Sequence, residues 1–241
     1  MGVSPDTRPG ALVVHGLTGS PQSLAGVTTA LGSAGFSTSV PMLPGHGTSP
    51  EDLERTGWGE WFGAVETAYS ELARRCGTVV ACGLSMGGAL TAAVAAAHPE
   101  VAGLALVNPL VDPPAPSFCD LLREMLAAEQ RFLPGIGGDV SDPAVSEDAY
   151  DRLPVAALLS LSEALVGLRE RLPQVGCPVL ILTSRHDHVV DNTSSDVLAS
   201  AVSGPVERFW LERSQHVATL DVERDEVERR IVDFALKAVN R

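Results

Sequence analysis

The chain has 241 residues, of which 45% are hydrophobic and 20% charged, and this composition fits one soluble globular domain with a sizeable core. A net charge of −13 argues against nucleic-acid binding and against docking on anionic lipid, because both kinds of partner need basic patches. Residues 1–10 lack the apolar core of a signal peptide and the longest apolar runs are too short to cross a bilayer, so we expect a cytoplasmic protein without stable membrane insertion.

Short β-rich runs alternate along the chain with longer stretches of helical periodicity. Most runs are almost entirely apolar, as in parallel strands that are covered on both faces. The alternation predicts an α/β fold with a mostly parallel sheet of about six or seven strands flanked by helices, in one domain over residues 1–241. The runs are Leu12–Val14, Ser37–Val40, Val79–Gly83, Gly103–Val107, Val179–Leu182 and Val206–Leu211. The clearest helical stripes are Trp58, Trp61, Phe62, Val65, Tyr69 and Leu72, then Val227, Ile231, Phe234 and Ala238.

One long region interrupts this alternation. Residues 112–172, between the fourth and fifth runs, contain helical patterns and loops but no strand signal. Inserts of this length in a compact α/β fold are often lids over a binding site, so we expect a lid here; a decorative excursion without a functional role is the alternative. Two apolar stripes of this insert are candidates to line a pocket, the alternative being that they pack on the core: Phe118, Leu121, Leu122, Met125 and Leu126, then Leu153, Val155, Leu158, Leu159, Leu161 and Leu165.

The motif that carries chemistry is Gly83-Leu84-Ser85-Met86-Gly87, which fits G-x-S-x-G. An apolar strand pattern runs directly into it and a helix pattern of small residues follows it, which is the context of a nucleophile elbow. The two glycines allow a sharp turn, and the helix N-terminus that follows favours negative charge. We therefore predict that Ser85 is a catalytic nucleophile.

A serine hydroxyl needs a base to take its proton. His216 follows the last strand pattern, so its loop overhangs the strand ends where Ser85 lies. His15 and His46 also fall in loops at that edge and are rivals. His216 is nevertheless the predicted base.

The base in turn needs an anionic partner that fixes its tautomer. Asp187 follows the strand pattern Val179–Leu182, which produces the order serine, aspartate, histidine found in α/β-hydrolases. Asp112 is the competing candidate, because it follows the preceding strand at the same edge.

Two backbone N–H groups are expected to bind the oxyanion. Met86, which follows the nucleophile, supplies one, and Leu17 in the glycine-containing loop after the first strand supplies the other. The four cysteines are widely spaced and form no metal-ligand pattern, so we expect reduced thiols, no metal and no cofactor.

Five motifs, taken together and in order, resemble those of the α/β-hydrolase superfamily, and most closely small bacterial carboxylesterases and monoacylglycerol lipases. They are HGLTGS (15–20), PMLPGHG (41–47), GLSMGG (83–88), SRHDHVV (184–190) and SQHVATLD (214–221). The resemblance runs nearly end to end. It implies Ser85, Asp187 and His216 as a triad, Leu17 and Met86 as oxyanion-hole amides, and the insert as a cap over an acyl pocket. Gln215 departs from the pattern, since the family often has glycine before the catalytic histidine.

The sequence thus favours hydrolysis of neutral short- to medium-chain esters, monoacylglycerols among them, with a small-molecule ester as the expected substrate. Thioester cleavage or cofactor-free perhydrolysis on the same triad is the alternative. The insert has eleven acidic residues and five arginines, which disfavours an anionic coenzyme A ester. A non-catalytic small-molecule receptor is a third possibility, against which the intact triad argues.

Overall fold

A computed structural model describes residues 8–240 and contains a six-stranded sheet in which every neighbouring pair is parallel. Its strand order is β2-β1-β3-β4-β7-β8. These strands are β1 (Gly10–Val14), β2 (Ser37–Ser39), β3 (Val79–Leu84), β4 (Gly103–Val107), β7 (Val179–Ser184) and β8 (Val206–Leu211). All six predicted strands are confirmed, and only the second ends earlier than predicted, at Ser39.

Helices cover both faces of the sheet. They are α1 (Ala25–Ser33), α2 (Pro50–Leu53), α3 (Trp58–Cys76), α4 (Met86–Ala97), α5 (Pro116–Ala127), α6 (Val155–Arg171), α7 (Thr193–Ala201) and α8 (Arg224–Val239). Helices α1 and α8 pack on one face and α3, α4 and α7 on the other, and the side chains of β1 alternate between the two cores. The apolar stripes predicted for α3 and α8 face these cores. Within residues 8–240, no helix is long and apolar enough to span a membrane.

The insert differs from its prediction in one respect. It contains two short strands, β5 (Phe132–Pro134) and β6 (Arg152–Pro154), which pair antiparallel with Leu133 opposite Leu153. The expectation of no strand in this region was therefore wrong. Three-residue strands that each end in proline are too short to show a period-2 pattern, so only their pairing reveals them. Helices α5 and α6 of the insert pack against each other. The limits of the cap, about 112–172, stay a prediction.

The sharpest packing constraint in the sheet is at the start of α4. A Cβ atom added to Gly87 would lie 2.1 Å from the Val14 carbonyl oxygen and 2.6 Å from that of His15. Both obstacles are backbone atoms of β1 and its following loop, which cannot move aside like a flexible side chain. Glycine at this position is therefore what allows α4 to begin so close to β1.

Gly87→Ala and Gly63→Ala should consequently change stability in opposite directions. Gly63 lies on the exposed face of α3, and a Cβ there meets nothing within 4 Å. We expect Gly63→Ala to stabilise the protein by about 0.5–1 kcal/mol, because alanine loses less entropy in a helix. Gly87→Ala should destabilise it by about 2 kcal/mol or more through overpacking. Urea unfolding followed by circular dichroism measures both, and equal stability of the two variants would contradict this account.

Candidate active site

Ser85 lies at the sharp turn between β3 and α4, with φ 56° and ψ −121°. A non-glycine residue in this region of backbone space is strained, and such strain is often found at functional sites. The turn also brings Gly83 and Gly87 together, since a Cβ on Gly83 would lie 2.3 Å from the Gly87 carbonyl oxygen. The Ser85 amide donates to the Val107 carbonyl oxygen at 3.0 Å, which fixes the turn to the neighbouring strand. The predicted strand–turn–helix is thus present, with Ser85 at its apex.

Asp187 and His216 form a buried hydrogen-bonded pair at the same edge of the sheet. The distance from His216 Nδ1 to Asp187 Oδ2 is 2.8 Å, and the two side chains are 7% and 1% exposed. The other carboxylate oxygen, Oδ1, accepts the amides of Val189 and Val190 at 2.9 and 2.8 Å. Because an ionised carboxylate only accepts, this pairing places the imidazole proton on Nδ1 and leaves Nε2 as a basic lone pair.

Asp112, the competing acid, has a different partner. Its carboxylate pairs with Arg169 on α6, and its amide donates to Ser194 Oγ at 3.2 Å. The structure therefore brings Asp187, and not Asp112, to His216.

His15 and His46, the rival bases, are buried supports for the loops beside the site. The ring of His15 accepts the Leu43 amide on Nε2 at 3.2 Å and lies 2.9 Å from the Gly16 carbonyl oxygen through Nδ1. Burial, with repulsion from His46, lowers the pKa of His15 to about 3. Burial likewise lowers the pKa of His46 to about 4. Both rings are neutral at physiological pH, and the hydrogen bonds of His15 join the two loops that follow β1 and β2.

The residues expected to bind the oxyanion both adjoin Ser85. Met86 is the first residue of α4, and the first N–H groups of a helix have no partner inside the helix. Leu17 belongs to the loop after β1, which approaches closely because it contains Gly16. A Cβ on Gly16 would lie 3.3 Å from Ser85 Cβ and 3.9 Å from Ser85 Oγ.

Asn108 is a residue of the site that the sequence analysis missed. It follows β4 with φ 44°, and its side-chain amide donates to Ser184 Oγ at 2.9 Å and to the His216 carbonyl oxygen at 2.7 Å. Its oxygen accepts the Ser184 amide at 2.7 Å. Asn108 thus connects the ends of β4 and β7 to the loop of His216. The sequence does contain a signal for Asn108, because an asparagine directly follows an apolar strand pattern at the carboxyl edge of the predicted sheet.

Asp221, which is fully buried, holds the same loop from its other side. Its carboxylate accepts the amides of Gln215 and Ser141 at 2.8 Å each, and that of Asp142 at 3.0 Å. The loop is therefore held at the backbone of Gln215, whose carbonyl oxygen also accepts Ser184 Oγ at 2.8 Å. These bonds keep the loop in place without a glycine at position 215.

An apolar cavity of about 240 Å³ opens at Ser85. Helix α6 contributes more of the cavity wall than α5 does. From the predicted stripe of α5, only Phe118 lines the cavity. Leu121 of that stripe is instead 50% exposed, and Leu122 is buried away from the cavity wall. The lining residues are Leu17, Ser85, Leu110, Asp112, Pro114, Phe118, Ile136, Leu153, Leu158, Leu161, Ser162, Leu165, Val189 and Val190. The cavity can hold an apolar chain next to the serine.

A second, polar cavity of about 340 Å³ is lined by the loop that connects β5 to β6, Glu147 included. Burial raises the pKa of Glu147, an effect that the Gly138 amide and nearby His216 only partly offset. The Gly138 amide donates to Glu147 Oε2 at 2.7 Å. Within residues 8–240, no group of three or more metal-ligating side chains could hold a metal ion.

Comparisons with known proteins agree with this architecture. The family model described as serine aminopeptidase, S33, matches residues 6–223. A thermostable monoacylglycerol lipase of Bacillus sp. (strain H-257) is 38% identical over 231 residues, covering 95% of this chain and 90% of the lipase. A carboxylesterase of Bacillus subtilis (strain 168) is 26% identical over 229 residues, covering 94% of this chain and 92% of the esterase.

Solved structures show the same fold. A structure reported with the metagenome-derived lipolytic enzymes LipS and LipT superimposes with a TM-score of 0.91 at 36% identity, covering 97% of this chain and 96% of that one. A monoglyceride lipase of Saccharomyces cerevisiae, 16% identical, superimposes with a TM-score of 0.78 over 97% of this chain and 89% of its own. The predicted α/β-hydrolase fold is confirmed, and the chain belongs to the S33 serine aminopeptidase family of hydrolases.

Proposed function

We propose that this protein is a serine carboxylic-ester hydrolase that cleaves neutral short- to medium-chain esters, monoacylglycerols in particular, through an acyl-enzyme on Ser85. The observation that carries the proposal is the buried 2.8 Å pair of Asp187 and His216 at the strand edge where Ser85 opens into an apolar cavity. Ester hydrolysis is the activity expected from the sequence, and it is also the activity for which the two curated relatives are named.

Acylation begins when Ser85 Oγ attacks the ester carbonyl carbon while His216 Nε2 accepts the hydroxyl proton. Asp187 stabilises the imidazolium and keeps its Nδ1–H in place. The carbonyl electrons move onto the oxygen, which the backbone N–H groups of Leu17 and Met86 stabilise. When the tetrahedral intermediate collapses, the ester C–O bond breaks and the alcohol leaves with the proton held by His216.

Deacylation repeats these steps with water as the nucleophile. His216 removes a proton from the water, whose oxygen attacks the acyl carbon, and then returns the proton to Ser85 as the acid leaves. No step needs a metal or a cofactor, since the triad supplies both the base and the acid.

The apolar cavity fits the acyl half of the substrate. A cavity of about 150 Å³ holds benzene, so about 240 Å³ accommodates roughly ten carbons on the same scale. Each buried methylene contributes about 0.8 kcal/mol to binding, so affinity should rise with chain length until the cavity is full.

The polar cavity suits a hydroxylated alcohol. Glu147 lines this cavity and burial raises its pKa, so its carboxyl group can hydrogen-bond hydroxyls of a leaving alcohol such as glycerol. A neutral alcohol also suits an insert with eleven acidic residues and five arginines, whereas the phosphates of coenzyme A would be repelled. A substrate panel distinguishes esterase, thioesterase and aminopeptidase activity. It contains p-nitrophenyl esters, monoacylglycerols, acyl-coenzyme A thioesters and an aminoacyl p-nitroanilide.

Ser85→Ala should reduce kcat by about 10³-fold or more, because the covalent route is lost, while the thermal midpoint stays close to that of the wild type. Ser162→Ala is the matched control, since Ser162 is a buried serine that lines the same cavity. It should retain activity within a few fold. A fluorophosphonate probe followed by peptide mapping should label Ser85 alone. Wild-type turnover in Ser85→Ala would rule out the acyl-enzyme.

Asp187→Asn should reduce kcat by about 10³- to 10⁴-fold, because an amide no longer fixes the imidazole tautomer. Asp112→Asn should cost less than about tenfold, since it weakens a half-exposed ion pair with Arg169 and leaves the Asp187–His216 pair in place. Steady-state kinetics on p-nitrophenyl octanoate compares the two variants. The reverse ranking would make Asp112 the acid.

Leu158→Trp should move the preferred acyl chain toward shorter lengths, because the larger side chain fills part of the cavity. Leu159→Trp is the control, as its position is the next on α6 and is also half-buried but is not part of the cavity wall. The measurement is kcat/KM on p-nitrophenyl esters from acetyl to palmitoyl. We expect an optimum of six to twelve carbons in the wild type, and an unchanged optimum in Leu158→Trp would show that acyl chains bind elsewhere.

A further inference from the structure

Asp139, in the loop between β5 and β6, forms hydrogen bonds with residues that follow β7 and β8. Its Oδ2 accepts the backbone amide of His216 at 3.0 Å and that of His188 at 3.1 Å. Its Oδ1 lies 2.8 Å from His188 Nδ1. Its own carbonyl oxygen accepts the Val217 amide at 3.0 Å. One residue of the insert therefore contacts two separate loops of the sheet edge.

These two loops are the ones that carry Asp187 and His216. His188 directly follows Asp187 after β7, and the other amide is that of His216 itself, after β8. A single carboxylate thus joins the backbone of one loop to the backbone of the other, next to the 2.8 Å hydrogen bond between their side chains. Displacing a catalytic side chain by about 1 Å can lower the rate by about 10²-fold. Hydrogen bonds that hold these two loops together should therefore affect catalysis.

Asp139 is ionised in this setting. Burial by itself raises the pKa of the carboxyl, but the hydrogen bonds from His188 and from the His216 amide outweigh burial, and the pKa lies below the ordinary aspartate value. Its side chain is only 15% exposed. An ionised acceptor forms stronger hydrogen bonds to amides than a neutral one, so the carboxylate of Asp139 holds the amides of His188 and His216 strongly.

The segment around Asp139 is itself fixed. Two and three residues further along, the amides of Ser141 and Asp142 donate to Asp221, which also accepts the Gln215 amide. Ser141 Oγ donates to the Arg213 carbonyl oxygen at 2.7 Å. Residues 139–142, which we name the clamp segment, therefore lie firmly against the loop of His216.

We infer that Asp139 is a positioning residue, which holds Asp187 and His216 at hydrogen-bonding distance by tying their loops together through their backbone amides. The insert then has two roles. It covers the acyl cavity, and through Asp139 it positions Asp187 and His216 relative to each other. This inference rests on the proposed function of Asp187 and His216 as acid and base.

The test uses the full chain, with Asp139→Ala and Asp139→Asn as variants and Asp142→Ala as the matched control. Asp142 lies in the same clamp segment, but within residues 8–240 its carboxylate accepts only the amide of Ala144 and lies 3.8 Å from Arg224. We expect Asp139→Ala to lower kcat by about 10- to 100-fold with KM within about threefold of the wild type, because misalignment affects the transition state more than ground-state binding. Asp139→Asn keeps one acceptor oxygen, so its kcat should fall by only about three- to tenfold. Asp142→Ala should stay within about twofold of the wild type.

A second readout reports the alignment itself. The proton between His216 Nδ1 and Asp187 is expected to produce a far-downfield proton NMR resonance, which should disappear in Asp187→Asn. It should shift or broaden in Asp139→Ala and Asp139→Asn, and stay in place in Asp142→Ala. A merely structural role would lower the thermal midpoint without moving this resonance. If Asp139→Ala does not fold, the kcat and the resonance of Asp139→Asn decide the question.

The outcomes separate this inference from the proposed function. Wild-type kcat and an unmoved resonance in the folded Asp139 variants would overturn the positioning role while Ser85 remains essential. An increase in KM alone would also overturn it, because Asp139 would then act on substrate binding. Retention of turnover in Ser85→Ala, by contrast, would overturn the proposed function whatever the Asp139 variants do.

Discussion

The arrangement of the site depends on one steric constraint, the turn at Ser85 with φ 56°. Such a turn folds the start of α4 back over the end of β3, and the space it needs exists only because Gly83 and Gly87 have no side chains. Gly16 then lets the loop after β1 come within contact distance of Ser85. The same absence of side chains that makes the turn possible also brings backbone N–H groups close to the serine.

The parallel sheet supplies the rest of the geometry. Because its strands all run the same way, the loops after β1, β3, β4, β7 and β8 emerge at one edge, which is where ligands bind in open α/β sheets. Neighbouring loops in turn hold each other, and the clearest case is Asn108, which bonds both the end of β7 and the carbonyl oxygen of His216. Buried polar groups of this kind must be fully paired, so they fix one arrangement of the edge.

The insert joins this edge at several points. Tyr150 donates its amide to the Thr18 carbonyl oxygen at 3.0 Å and its hydroxyl to the Gly45 carbonyl oxygen at 2.9 Å, while the clamp segment contacts the loop of His216. Apolar residues of α6 meanwhile form much of the wall of the cavity at Ser85. The insert therefore forms both the apolar cavity beside Ser85 and the polar contacts around the loop of His216. A change in the insert can thus affect the cavity and the geometry of the site together.

Local patterns in the sequence determined the six strands of the main sheet, the stripes of α3 and α8, the position of Ser85 in a strand–turn–helix and the order of the serine, aspartate and histidine. The strands, the stripes and the position of Ser85 follow from periodicity or glycine spacing within a few residues, and the order follows from which strand pattern precedes each of the three residues. Contacts between distant residues could be decided only by the tertiary structure. Asp112 and Asp187 follow strands in the same way, and what distinguishes them is the pairing of Asp112 with Arg169 and of Asp187 with His216. The burial of His15 and His46, the β5–β6 pairing and the bridging by Asp139 are likewise invisible in the sequence, because they depend on which surfaces meet when the helices and loops pack.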